Sequence, residues 1–108
     1  MLKGHLDAVV LAALEAGPAH GYAVIEYIKT RSGDVFDLPE GTVYPALHRL
    51  EQAGLLSSTW TTTPSGRRRR VYALTKAGAS ALRERRKIWN RFSQAIGAFL
   101  GGPRAWPA

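Results

Sequence analysis

Four consecutive guanidiniums, Arg67-Arg68-Arg69-Arg70, are the most chemically committed residues of the chain. They follow Pro64-Ser65-Gly66, which is turn chemistry. On either side lie stretches that favour strands: Leu55–Thr62, rich in Thr and Ser with Trp60, and Arg70–Leu74 with Val71 and Tyr72. A hairpin tipped with arginine suits phosphate, because guanidinium is always charged and presents a fork of donors that matches phosphate oxygens. Just upstream, Leu38–Leu50 reads as a helix whose apolar stripe is Val43, Leu47 and Leu50. Gly41, Thr42, Tyr44, His48 and Arg49 lie away from that stripe. The early ones fall where free N–H groups and the helix dipole favour anions. Thr42 and Tyr44 carry hydroxyls that donate to phosphates or base edges, and His48 and Arg49 stand a turn further on, Arg preferring guanine O6 and N7. The plain alternative is a solvated helix face with Tyr44 partly packed.

Helix followed by basic hairpin is the order of a winged helix-turn-helix, in which one helix enters the major groove while the wing reaches the neighbouring backbone. The wing is expected at Thr63–Arg69. Within it Arg67, Arg68 and Arg69 are the candidate phosphate ligands, since alternation along the strand sends Arg70 to the face opposite Arg69. Tyr22 sits near the start of the preceding helix, the one that crosses the backbone in such folds. It is read either as a phosphate contact or as a packing residue, and His20 is read as structural.

Catalysis finds little support. His5, His20 and His48 lie in different elements, without an HExxH, GxSxG, P-loop or dinucleotide motif. Glu40 and Glu51 have no partner at catalytic spacing. The absence of cysteine removes disulfides, thiolate metal sites and a cysteine nucleophile, and no His–carboxylate cluster suggests a metal. No enzyme activity, cofactor or metal is expected.

Positioning the basic groups requires a small domain, and 108 residues suffice for one. Leu2, Leu6, Val9, Val10, Ala13 and Leu14 form one face of a first helix that Gly17-Pro18 ends. A second helix is expected over His20–Thr30, with Val24, Ile25 and Ile28 inward and Ser32-Gly33-Asp34 breaking it. Val35-Phe36 would fit a small bridging strand. The third helix starts between Glu40 and Thr42, with Pro45 in its first turn, and Gly54 terminates it in the left-handed region. Thr75 caps a final helix running from Lys76 to about Leu100. The expected architecture is mainly α (α+β): a winged helix-turn-helix over 1–74, a long C-terminal dimerisation helix over 75–100, and a flexible tail over 101–108.

The last helix is long for a chain of this size. Heptad spacing aligns Leu82, Arg85, Trp89, Phe92, Ile96 and Phe99, and from Trp89 onward little of the domain remains to cover that stripe. A second subunit is the natural cover. The expected homodimer interface is Leu82, Trp89, Phe92, Ile96 and Phe99, with Leu6 of the first helix. The formal net charge of +7 suits a polyanionic partner, double-stranded DNA. Besides Arg67–Arg70 there is a second basic block of Arg83, Arg85, Arg86, Lys87 and Arg91. Ala8–Leu14 is apolar but too short to span a bilayer, and no signal peptide is visible, so no membrane role and a cytoplasmic location are expected.

Several ordered motifs together resemble the PadR family of bacterial transcriptional regulators, specifically its small members with a single C-terminal helix. They are Gly17-Pro18-Ala19-His20-Gly21-Tyr22, Gly41–Leu50, Gly54-Leu55, and Val71-Tyr72-Ala73-Leu74-Thr75-Lys76-Ala77-Gly78, with the Arg-rich wing between the last two. Roughly residues 2–100 are covered. The resemblance implies a winged-helix dimer on a two-fold-related operator, usually a repressor. It also raises a second role for Trp89 beside dimer core, as the wall of a site for a small flat aromatic effector between the paired helices. Two departures stand out. Trp60 is followed by Thr61-Thr62-Thr63 where the family often carries acidic residues, which makes this wing more basic. The short C-terminal region argues against a large effector pocket within one subunit. A function of another class, a winged-helix module binding an acidic protein, would be separated by the salt dependence of duplex binding.

Overall fold

A computed structural model describes residues 2 and 4–101 of the chain. The elements run α1 (Leu6–Ala13), β1 (Ala19–His20), α2 (Gly21–Arg31), α3 (Glu40–Gln52), β2 (Leu56–Thr62), β3 (Arg68–Leu74) and α4 (Lys76–Leu100). The three strands form one antiparallel sheet in the order β1-β3-β2. Three helices pack with it around Val10, Leu14, Val24, Val43, Leu47 and Tyr72, the largest fully buried side chains. This is the α+β winged helix-turn-helix that the sequence predicts.

Local signals account for most element ends. His20 caps α2 through Nδ1, which accepts from the Ala23 N–H, and the Thr75 hydroxyl caps α4 by accepting from the Gly78 N–H. Gly54 adopts φ +79°, and the N–H groups of Leu55 and Gly54 reach back to the carbonyls of Leu50 and Glu51. That pattern is a Schellman closure of α3. Gly78 serves packing instead. A Cβ there would meet the Leu55 carbonyl oxygen at 2.1 Å, so only glycine lets α4 cross so close to the chain entering β2.

Four expectations are corrected. Val35-Phe36 forms no strand: Gly33 and Asp34 both turn through positive φ, Val35 projects into solvent, and Phe36 packs on the core. The bridging strand is Ala19–His20, which lies extended before α2 and pairs with Tyr72 and Val71. α1 starts at Leu6 rather than Leu2, because the His5 N–H bonds to Leu2 O in a turn that precedes the helix. Pro45 lies in the second turn of α3 rather than the first, so the helix goes without the one ladder bond that an N–H there would make to the Gly41 carbonyl. β3 begins at Arg68, two residues early, so Arg68 and Arg69 are strand residues and the loop shortens to 63–67.

α4 has two regimes. Gly78 and Leu82 are buried in their own domain, whereas every residue from Arg86 to Leu100 is exposed. Leu82, expected at a subunit interface, is 2% exposed and belongs to the core of its own chain, as the heptad passes through the domain before leaving it. Leu6 is half-buried against the same core. Two polar contacts tie the helix back to the N-terminal region. Arg86 forms a bidentate pair with Glu15 at 2.7 Å on both arms, which holds the Glu15 carboxyl below its ordinary range, and Arg85 donates to Gly4 O. Part of the second basic block is therefore spent within the chain. The Gly101 N–H bonds to Gly97 O at the helix end. Most of the expected tail, residues 102–108, lies outside the described residues.

Candidate nucleic-acid interface

α3 buries Val43, Ala46, Leu47 and Leu50. Gly41, Pro45, His48 and Gln52, spaced 4, 3 and 4 apart, are exposed and form the outward stripe. Sequence reasoning named Gly41 and His48 but missed Pro45 and Gln52, which the same spacing marks. Thr42 is half-buried at the N-terminal end of that face.

Tyr44 and Arg49 are not simply free. Tyr44 is half-buried with its ring against the start of α2, and a Cβ on Gly21 would fall 2.4 Å from its Cε1. The glycine there makes the seat for the ring, so Tyr44 offers the helix pair mainly its packing. Arg49 donates through Nη2 to the Asp7 carboxylate on α1, with both side chains substantially exposed. An exposed pair of this kind contributes about 0–1 kcal/mol, so exchange for a nucleic-acid acceptor costs little. Tyr22, in the first turn of α2, is 56% exposed and available.

The hairpin register sets the wing. Trp60 pairs with Arg70, Thr61 with Arg69 and Thr62 with Arg68. The tip is closed by Thr63, whose hydroxyl accepts from the Arg67 N–H and whose carbonyl accepts from the Gly66 N–H. Gly66 takes φ +84°, which suits glycine in that turn. Arg67, Arg68 and Arg69 are all exposed. They do not share one face: Arg68 and Arg70 flank Trp60, with guanidinium carbons 4.9 and 5.6 Å from its ring, and Arg69 projects from the other side, toward His20.

Arg70 is engaged within the chain. Its Nε donates to Ser58 Oγ at 2.7 Å and its Nη2 lies 3.4 Å from both oxygens of Glu51, while the Ser58 hydroxyl donates to Glu51. The sequence offered one unread clue to this cluster. Glu51 stands in the last turn of α3, where the helix dipole disfavours an anion unless something compensates it.

His20, the cap of α2, lies within reach of the charge of Arg69 on the wing. Burial, then the charge of Arg69, push its pKa below the ordinary 6.5. Between that lowered value and 6.5 the unfolded chain binds more protons, so the stability His20 contributes is whole above 6.5 and declines as pH falls through it. Urea midpoints measured from pH 7.5 to 5.5 are expected to fall for the native protein and to fall less for His20→Asn, which keeps a capping oxygen but does not titrate. Equal slopes in the two proteins would remove His20 from the pH dependence.

A second surface lies away from the wing. Small residues of α1, Ala8, Val9 and Ala12, face Leu82, Trp89 and Phe92 of α4 across an apolar groove of about 610 Å³. Trp89 is half exposed, meets His5 edge-on at 5.4 Å and leans on Phe92 at 6.1 Å. Beyond it Phe92, Ile96 and Phe99 are 56, 40 and 83% exposed and continue one stripe. Among the described residues, no helix is long and apolar enough to cross a membrane, and no three His or carboxylate groups gather to hold a metal ion.

Comparison with known proteins agrees with this architecture. Residues 10–84, more than half of the chain, match the transcriptional regulator PadR-like family. A transcriptional regulator of Mycobacterium tuberculosis is 47% identical over 62 residues, covering 57% of this chain and 54% of that protein. The crystal structure of a PadR-like transcriptional regulator from Bacillus cereus superposes with a TM-score of 0.82 at 26% identity, covering 95% of this chain and 98% of that one. A transcriptional regulator from Clostridium thermocellum gives 0.82 at 25% identity, with 92% and 96% covered. The family is one of regulators rather than enzymes, and on the family match and the shared fold this chain belongs to the PadR-like transcriptional regulators.

Proposed function

We propose that the protein is a homodimeric, sequence-specific DNA-binding repressor that acts on a two-fold-related operator. The observation that carries this reading is the exposed α3 stripe beside a wing with three exposed arginines, all on one small fold of a regulator family. In the proposed complex, Gly41, Thr42 and His48 face the major groove from α3. Arg49 joins them by leaving Asp7, and Tyr44 supports the helix from its seat on Gly21. Tyr22 meets the backbone from α2, while Arg67, Arg68 and Arg69 bind phosphates from the wing.

The second subunit is proposed to seat its α4 stripe against the groove of the first, and the reverse by symmetry. An apolar face of Trp89, Phe92, Ile96 and Phe99 left in water is costly, since fully burying one such side chain is worth about 1.5–3 kcal/mol. The decisive experiment selects bound fragments from genomic DNA and measures their affinity against salt. A recovered palindromic site with a steep salt slope supports the reading. A slope near zero, or no selected site, would leave the wing to an acidic protein partner.

Trp89 is proposed to wall an effector site between the subunits. A flat hydrophobic ligand is then expected to quench tryptophan emission and weaken operator binding together. Linkage makes the coupling mutual, so saturating operator should weaken the ligand by the same factor. Because Trp60 and Trp106 also emit, the control is Trp89→Phe. Quenching that survives in the control, or that leaves operator affinity unchanged, would reduce Trp89 to dimer core.

A further inference from the structure

Arg70 and Glu51 lie 19 residues apart and meet between the recognition helix and the wing. The cluster is built in a definite order. Glu51, at the end of α3, accepts from the Ser58 hydroxyl and from the Arg70 guanidinium; Arg70 also donates to Ser58 and stands over Trp60; Arg68 stands over the same ring. Glu51 and Arg70, the charged pair of the cluster, are partly screened, their side chains 25% and 36% exposed. Below it Tyr72 is buried, and above it Arg68 reaches solvent. Each link is polar or aromatic and directional, unlike the apolar contacts of the core below it.

From this we infer that Glu51, Ser58, Arg70 and Trp60 form a strut that sets the wing relative to α3, and that Glu51 and Arg70 are positioning residues for operator recognition. The inference rests on the DNA-binding reading above. Three arguments carry it. A two-stranded hairpin extending past its sheet has little intrinsic rigidity, and this bond chain is what ties its outer part to the helix. Arg70 has its charge offset by Glu51, so it is a poor counterion for phosphate compared with Arg67, Arg68 and Arg69. Trp60 holds two guanidiniums within 4.9 and 5.6 Å of its ring, an arrangement that restricts both arginines and so aims Arg68. The strut matters for function because a wing contact and a helix contact cooperate only when both fit the same duplex.

The strut and a purely electrostatic role predict opposite signs for Glu51→Ala. Removing a carboxylate raises the net charge and frees Arg70, which by attraction alone tightens binding to any duplex. A lost strut instead weakens binding to the genomic fragment selected above by about tenfold, the scale of coupling between residues in one network. Affinity for a scrambled duplex of equal length then stays the same or rises. The readout independent of DNA is acrylamide quenching of Trp60 in a Trp89→Phe, Trp106→Phe background, where Trp60 is the remaining tryptophan. Quenching is expected to increase in Glu51→Ala. Ser58→Ala, which breaks the middle link without changing charge, should reproduce both effects and replaces Glu51→Ala if that variant fails to fold. Tighter binding of both duplexes, or unaltered Trp60 quenching in both variants, overturns the strut. If the native protein selects no fragment, the DNA-binding reading fails by itself, and the strut then stands or falls on Trp60 quenching.

Discussion

Phe92→Asp combined with Ile96→Asp is expected to abolish the proposed dimer and leave a folded monomer. Both side chains lie on the exposed part of α4, 56% and 40% accessible, and neither belongs to the core that Leu82 completes. Two-fold symmetry repeats each substitution, so the mutant interface would have to bury four carboxylates without partners. An unpaired buried charge costs far more than the lost apolar contact, and the association constant should fall by about a thousandfold or more, equivalent to ~4 kcal/mol. Operator binding should fall with it. Two heads held about 34–36 Å apart meet successive major grooves on one face of a duplex, whereas a monomer makes half the contacts without that geometry. Sedimentation gives the mass, and far-ultraviolet circular dichroism shows whether the heads remain folded. A double mutant that sediments as a folded dimer would rule out this interface.

Arg67→Ala with Arg68→Ala is expected to damage binding to every duplex, whatever its sequence. Each phosphate neutralised by arginine releases condensed counterions, and the logarithmic salt slope carries about 0.9 units per contact. Two wings losing two contacts each should flatten the slope by about 3.6 units and lower affinity about a thousandfold or more at 0.1 M salt, by the same relation. Preference among sequences should persist, because the outward stripe of α3 is untouched. Arg70→Ala should behave otherwise, changing preference more than slope, since its guanidinium already serves Glu51. An unchanged slope in the double mutant would mean that the wing arginines are solvated charge.

How far the fold was legible follows from the range of the interactions that define each part. Gly54 at φ +79° and the Thr75 cap declare themselves within four residues, so the ends of α3 and the start of α4 were readable. β1 did not declare itself. Ala19 and His20 become a strand only because Tyr72 and Val71, over fifty positions away, supply the partners. Leu82 shows a related limit: one heptad stripe serves the domain core first and the exposed helix afterwards, and spacing alone contains no mark of the crossover. At the interface, the outward residues of α3 and the wing arginines follow from periodicity and charge. The engagements that divide them do not. Arg49 meets Asp7 across 42 residues and Arg70 meets Glu51 across 19, and such pairs are decided by packing.

The crossover at Leu82 also bears on which substitutions the fold can absorb. The region that matches the family ends at residue 84, two positions after the last side chain that the head buries from α4. Up to that point a substitution is judged by the shared core of Val10, Leu47, Tyr72 and their neighbours. Past it the ties to the domain are peripheral, Arg85 on Gly4 O, Arg86 on Glu15 and Trp89 against His5, and every residue from Arg86 to Leu100 is exposed. The domain core and the distal helix are therefore held to different physical constraints. A change in the distal turns is expected to alter what the exposed stripe of α4 can meet while leaving the domain core as it is.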